Sequence, residues 1–357
     1  MSGRLPPQKR FVVRTSVRSS YGLKRFVVRT SVRSYCGLKS ALRTLLAVKR
    51  TDIMLQVIIP VKNRPEIGDC VRSLLGSFPV TKIIICDGGT TEPQCLTALQ
   101  NLSNLEQIEW LKYPQSDFNK SQLINQGILR VTSQYLLISD ADIIWNQQAI
   151  LQLLYPVLSP NSLKLLSLKN RIKPVENLPQ FLPASAKSRE NGIICCVKTV
   201  GESRPQTAAL KRKRYTYNIQ MREQTATVNI VEAQSGDRDR PGCGLICTRK
   251  QTLLRLGGYK QIFTGWGWED QDLLIRATLL GIEICSAGNV IHVSHTDGTR
   301  NQHHQQVPPQ QTRDRNIISC LQSIKKGALF GDLVQPPILP PQFVEITTNF
   351  TPNYSRD

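Results

Sequence analysis

Between Leu55 and Ser139 short apolar, β-branched runs alternate with longer segments of helical period, and this alternation constrains the fold more than any other feature of the chain. Leu55 to Val61 (LQVIIPV) reads as a strand, and Glu66 to Ser77 as a helix with Ile67, Cys70, Val71, Leu74 and Leu75 on one face. Lys82 to Cys86 is a buried-type strand stopped by the turn Asp87-Gly88-Gly89. A helix over Gln94 to Leu102, a strand at Ile108 to Leu111, a helix over Lys120 to Thr132 and a strand at Tyr135 to Ser139 follow. A last strand is expected at Gly281 to Ser286. Parallel strands need long crossovers, and a helix is the usual one, so the expected fold is α/β: a mostly parallel sheet with helices on both faces, as one domain with flexible termini.

In such sheets ligands collect beyond the carboxyl ends of the strands. Four polar clusters fall at such ends: Lys62-Asn63-Arg64, Asp87-Gly88-Gly89, Asp140-Ala141-Asp142 and the loop Trp266 to Asp272. In the third, two carboxylates stand one residue apart where an apolar strand stops. If strand geometry persists they point the same way, and they repel unless a cation or proton lies between them. One use is a hard divalent cation, Mn²⁺ or Mg²⁺, bridging to a diphosphate; the other is a solvated turn capping the next helix.

Charge separates the ends from this body. The 357 residues hold 46 Lys and Arg against 26 Asp and Glu, and residues 1–53 alone carry 13 basic residues and one acid, Asp52. In that segment Lys9 to Leu23 recurs almost unchanged as Lys24 to Leu38. Two Val-, Arg- and Ser-rich copies supply no solenoid core. The segment reads as a solvated extension, as a basic arm for anionic lipid or nucleic acid, or as sequence preceding a start at Met54. Residues 301–357 read as a Gln- and Pro-rich tail, from QHHQQVPPQQ and QPPILPPQ. Residues 170–240 carry no recognisable motif and include the run Lys211 to Arg214, so they read as an insertion or acceptor segment. Apolar runs too short for a membrane span, no secretory leader and ten irregularly spaced cysteines suggest buried thiols in the cytoplasm.

Four motifs in order resemble the GT-A fold (Rossmann-like) nucleotide-sugar glycosyltransferases, family 2-like and of the β-1,4-galactosyltransferase type. Pro60-Val61-Lys62-Asn63-Arg64 is similar to the P-F-R-N-R donor segment, and Phe118 to Gly127 to F-N-R-A-K-L-L-N-V-G. Ser139-Asp140-Ala141-Asp142 is similar to S-D-V-D. Gly265-Trp266-Gly267-Trp268-Glu269-Asp270-Gln271-Asp272, after Leu256-Gly257-Gly258-Tyr259, resembles G-W-G-x-E-D-x-D and its helix. The resemblance spans residues 54–300, with 241–300 as the galactosyltransferase-like module.

The resemblance implies a metal-dependent inverting transfer of a hexose or N-acetylhexosamine from a UDP-sugar to a saccharide or lipid-linked acceptor, with Mn²⁺ or Mg²⁺ as cofactor. Asp270 would be the general base and Glu269 would hold the acceptor, joined by Trp268, Gln271 and Asp272. Pro60, Lys62, Asn63, Arg64, Asp87, Asn119, Lys120, Asp140 and Trp266 would meet the donor. Asp142, His295 and His292 would bind the metal, with His292 standing where the family has Met. Trp268 and Gln271 also depart from the pattern, which leaves the acceptor open. The helix start at Glu269 should keep the base ionised. No specific nucleic-acid partner is implied; peripheral contact with anionic membrane at the inner face is the accessory expectation. A retaining N-acetylgalactosaminyl-type enzyme, whose related module carries Asn where Asp270 stands, and a basic surface-binding protein with a degenerate transferase fold are the alternatives.

Overall fold

The computed structural model describes residues 54–114, 117–158, 192–204, 214–223, 225–233, 240–265, 267–294, 307–333 and 345–350. The basic repeats of 1–53 and the run 211–213 lie outside these residues. Among them no helix is long and apolar enough to cross a membrane.

Eight strands form one sheet: β1 (Leu55–Val61), β2 (Lys82–Asp87), β3 (Ile108–Lys112), β4 (Tyr135–Ile138), β5 (Ile143–Ile144), β6 (Ile193–Glu202), β9 (Arg240–Arg249) and β10 (Glu283–His292). Their spatial order is β3-β2-β1-β4-β9-β6-β10-β5. The pairings among β1 to β4 and between β6 and β10 are parallel, whereas β9 and β5 run antiparallel to their neighbours. The expected mostly parallel sheet is therefore present.

The period-two alternation of each strand builds two cores. Leu55, Val57, Ile59 and Val61 of β1 enter one cluster with Ile83 and Ile85, while Ile58 enters the other with Ile84 and Cys86. Helices α1 (Ile67–Ser77), α2 (Pro93–Ser103) and α4 (Gln147–Val157) supply the first face; α3 (Lys120–Arg130), α5 (Lys250–Arg255), α6 (Glu269–Leu279) and α7 (Pro309–Lys325) supply the second. Gly127 sets how closely α3 approaches β1, because a Cβ there would meet Ile58 Cγ2 at 2.5 Å. The nine cysteines among the described residues are free, seven of them buried, as expected of structural thiols.

Two segments outside the expected strands and helices prove structured in part. Segment 170–240 contributes β6 to the main sheet, and β7 (Arg214–Arg222) and β8 (Thr225–Ala233) to a second, three-stranded sheet with β11 (Glu345–Asn349). Nor is 301–357 simply a tail. Ile317, Cys320, Leu321 and Ile324 of α7 recur at helical spacing and are buried in the second core. The flanking Pro- and Gln-rich stretches hid that amphipathic helix. Pro309 stands at the helix start, where a missing N–H costs nothing.

Candidate active site

The turn after β4 is held from beneath. Ser139 is fully buried; its Oγ accepts from Trp145 Nε1 at 2.8 Å and donates to the Asp140 carbonyl at 2.8 Å. The strand ends at Ile138, so Asp140 and Asp142 do not keep strand geometry and do not point alike. Asp140 Oδ1 lies 2.7 Å from Lys120 Nζ, whereas Asp142 Oδ2 lies 3.4 Å from His292 Nε2. β10 extends six residues beyond the expected end at Ser286, and its end places His292 there. His292 is nearly buried, and its Nδ1 lies 2.8 Å from Glu202 Oε2. Burial opposes charging this imidazole, but hydrogen bonds to Asp142 and Glu202 prevail and raise its pKa to about 9. Glu202 moves the opposite way, to about 2, because bonds from His292 and Ser294 outweigh its burial.

Lys120 joins the two acidic clusters. It begins α3, and its ammonium reaches both Asp140 and Glu269 Oε1, the latter at 3.3 Å. Burial alone would lower its pKa; Asp140, Glu269 and Asp270 hold it well above the ordinary lysine value. Glu269 and Asp270 open α6 as expected. The helix terminus does not keep Asp270 strongly acidic, however. Burial first, then the neighbouring Glu269, raise its pKa to about 6 against the opposing charge of Lys120. Gly244 of β9 lies under this pair, where a Cβ would stand 3.1 Å from Asp270 Oδ2 and 3.3 Å from Lys120 Nζ.

The loop before α6 rests on α7. Gly265 has φ 72°, and a Cβ there would meet Thr312 Cγ2 at 2.8 Å. Asn316 Nδ2 donates to the carbonyls of Thr264 and Gly267 at 3.0 and 2.8 Å. Asn316 escaped the sequence reading because α7 did. Glu202 escaped it because a lone acid ending a motif-free strand carries no spacing signal.

Several residues expected to touch ligands make contacts that hold the frame. Asp272 is fully buried between Arg276 (2.6 Å) and Lys260 (3.3 Å). Trp268 adopts φ 81° and is buried in the second core. Asn119 caps α3, accepting from Gln122 N, and donates to the Gln261 carbonyl at 2.8 Å. Asn63, at φ 54°, accepts from the backbone of Thr91 and Glu92 and ties two loops together. Asp87 is 3% exposed and accepts from Gly89 N, Thr90 N, Thr90 Oγ1 and Trp110 Nε1. Pro60 is buried within β1. Lys62, Arg64 and Gln271 remain half-buried around the cleft. Trp266 and His295 lie outside the described residues.

Residues 56–169 match the sequence model of glycosyl transferase family 2. Residues 231–297 match the model described as the N-terminal domain of galactosyltransferase. The chain is a glycosyltransferase. The first match covers β1 to α4 with the Asp140 turn, and the second covers β9, α6 and β10 with Glu269, Asp270 and His292. Every acidic group of the transferase cleft except Glu202 thus falls in a matched segment.

No curated protein sequence matches the transferase. Among solved structures, it is similar to a mannosyltransferase from Pyrobaculum calidifontis in complex with GDP-mannose and Mn²⁺ (12% identity, 81% of this chain and 70% of that one, TM-score 0.42). It is also similar to a glucosyl-3-phosphoglycerate synthase from Mycobacterium tuberculosis in complex with Mn²⁺, UDP and glucosyl-3-phosphoglycerate (13% identity, 82% and 86%, TM-score 0.41). A Drosophila β1,4-galactosyltransferase 7 variant in complex with manganese, UDP-galactose and xylobiose gives 12% identity, 74% and 79%, and a TM-score of 0.38.

Proposed function

We propose that this glycosyltransferase moves a hexose or N-acetylhexosamine from a UDP-sugar to a saccharide or lipid-linked acceptor, with inversion at the anomeric carbon and with Mn²⁺ or Mg²⁺ bound. The observation that carries the proposal is the bridge made by Lys120, which sets the acid pair opening α6 against the acid turn after β4. A donor diphosphate and an acceptor hydroxyl would meet across that bridge.

A divalent cation fits the donor set. Asp142 and His292 offer an oxygen and a nitrogen 3.4 Å apart at strand ends, although no group of three or more His, Cys, Asp or Glu is arranged around one point among the described residues. His295, three residues further on, is the remaining proposed ligand. When bound, the cation would supply positive charge to the departing diphosphate.

Asp270 is the proposed base. A carboxylate with a pKa of about 6 is ionised near neutrality and still basic enough to take a proton in the transition state. The acceptor oxygen would then attack C1 on the face opposite the departing diphosphate. Lys120 would keep a positive charge beside Asp140, where charge develops on the leaving group. Glu269 and Gln271 flank Asp270 and would hold acceptor hydroxyls; Lys62 and Arg64 would meet the nucleotide.

The test is UDP release by the full chain against a panel of UDP-sugars with Mn²⁺, Mg²⁺ or EDTA, followed by NMR of the product's anomeric configuration. Metal-dependent release with inverted product is expected. No release with any donor, together with no thermal shift by UDP and Mn²⁺, refutes the proposal; retained configuration refutes inversion alone.

A further inference from the structure

Glu202 has no part in the reaction proposed above, yet the fold places it with care. It ends β6 and stands in register with His292, which ends β10. On the other side His292 is in register with Ile143 of β5, and Val293 N donates to the Asp142 carbonyl at 2.8 Å. Three adjacent strand ends therefore deliver a row in which the imidazole lies between two carboxylates. Nε2 faces Asp142 Oδ2 at 3.4 Å and Nδ1 faces Glu202 Oε2 at 2.8 Å. Glu202 is itself fixed. Its Oε2 accepts from Ser294 Oγ at 2.9 Å, and its Oε1 lies 3.8 Å from Arg240 Nε. The side chains of His292 and Glu202 are only 4% and 14% exposed.

We propose that Glu202 is the positioning residue of the cation site, acting through His292. A cation at Nε2 would displace the proton that faces Asp142, leaving a neutral imidazole with one N–H and one lone pair, and the partner of the other nitrogen decides which is which. A carboxylate at Nδ1 keeps the N–H there and turns the Nε2 lone pair toward the point that Asp142 Oδ2 also faces. The same carboxylate fixes the ring plane and makes Nε2 a stronger donor. Glu202 lies on the far side of the ring, so it works at one remove from the ion. This inference rests on the cation site proposed above, and the experiment separates the two.

Mn²⁺ binding to the full chain in the presence of UDP would be measured calorimetrically for the protein as it stands and for E202Q, E202A, H292A, D142A and the double variant E202A/H292A. Removing such a second partner of a ligating histidine typically weakens metal affinity about 10- to 100-fold, and that loss is expected for E202A. E202Q, which keeps an acceptor but no charge, should fall between E202A and the parent protein. Adding E202A to H292A should change affinity less than about twofold, because the imidazole through which Glu202 acts is gone. An equal loss from E202A in both backgrounds would show a general charge or folding effect and overturn the inference. So would parental affinity in E202A while H292A and D142A are weakened. If D142A and H292A both bind Mn²⁺ as the parent does, the cation site itself falls. Should E202A fail to fold, the near-isosteric E202Q decides between the parental and the weakened outcome.

Discussion

Replacing Asp270 by Asn should abolish turnover while making the protein more stable. The carboxyl titrates at about 6 instead of 3.8, chiefly because it is buried and secondarily because Glu269 lies beside it. The folded state therefore prefers the protonated form. That preference contributes stability fully below pH ~4 and is lost as pH rises through about 6, so at neutral pH the ionised group strains the fold. A shift of about two units corresponds to about 3 kcal/mol. The residue is not completely buried, and residual solvent screening reduces the figure to about 1–2 kcal/mol. Asn keeps an oxygen able to accept from Gln271 N, as Asp270 Oδ1 does at 2.8 Å. At about 2–4 °C per kcal/mol for a domain of this size, D270N should melt about 2–8 °C higher at pH 7.5 and no higher at pH 4. Thermal melts of both proteins across pH 4 to 8, without metal or donor, read the difference directly. A D270N protein that is less stable at pH 7.5, or whose advantage does not grow between pH 4 and 7.5, would refute the account of strain; retained UDP-sugar turnover would refute the base.

Other consequences follow from the same contacts. Lys120 lowers the pKa of Asp270, so K120M should move the acidic limb of kcat/KM to higher pH as well as reduce its maximum; an unmoved limb counts against the bridge. Arg276 pairs with buried Asp272 and also donates to the carbonyls of Leu256 and Gly258, so R276L should cost about 3 kcal/mol in denaturant unfolding, and a cost below about 1 would place Asp272 outside the frame. Truncating Ile317 to Ala should cost about 2–5 kcal/mol if α7 is part of the folded body, as its complete burial requires. N316A removes both side-chain bonds to the loop before α6 and should raise KM for donor or acceptor severalfold; unchanged kinetics would show that the loop needs no support from α7.

The strands and helices from Leu55 to Ile138 were legible because each is a local pattern: period two for a buried strand, period near 3.6 for a helix packed on one side. The acidic turn and the acid pair at the start of α6 were legible as well, as composition at expected strand and helix ends, whereas His292 was named only through the family resemblance. Two kinds of information were not. α7 was hidden because its four buried apolar residues are diluted by Gln, Arg and Asn and flanked by Pro-rich stretches, so its apolar stripe acquires meaning only against α6 and the loop it covers. The division of the acids into catalytic and structural was hidden because Glu269, Asp270 and Asp272 look alike in sequence. On α6 they lie at different angles around the helix, which turns Asp272 into the core toward Arg276 and Lys260 and leaves Asp270 at the cleft.

What the sequence by itself determined is the layered α/β body and the residue types at the ends of its strands, since periodicity and turn chemistry act over a few neighbouring residues. Only the tertiary structure decided which groups meet. Lys120 reaches Asp140 and Glu269 across 20 and 149 positions of chain, and Glu202 meets His292 because β6 and β10 happen to be sheet neighbours. Both encounters depend on strand order and register, which emerge when two hydrophobic faces are buried together and which no local stretch of sequence encodes.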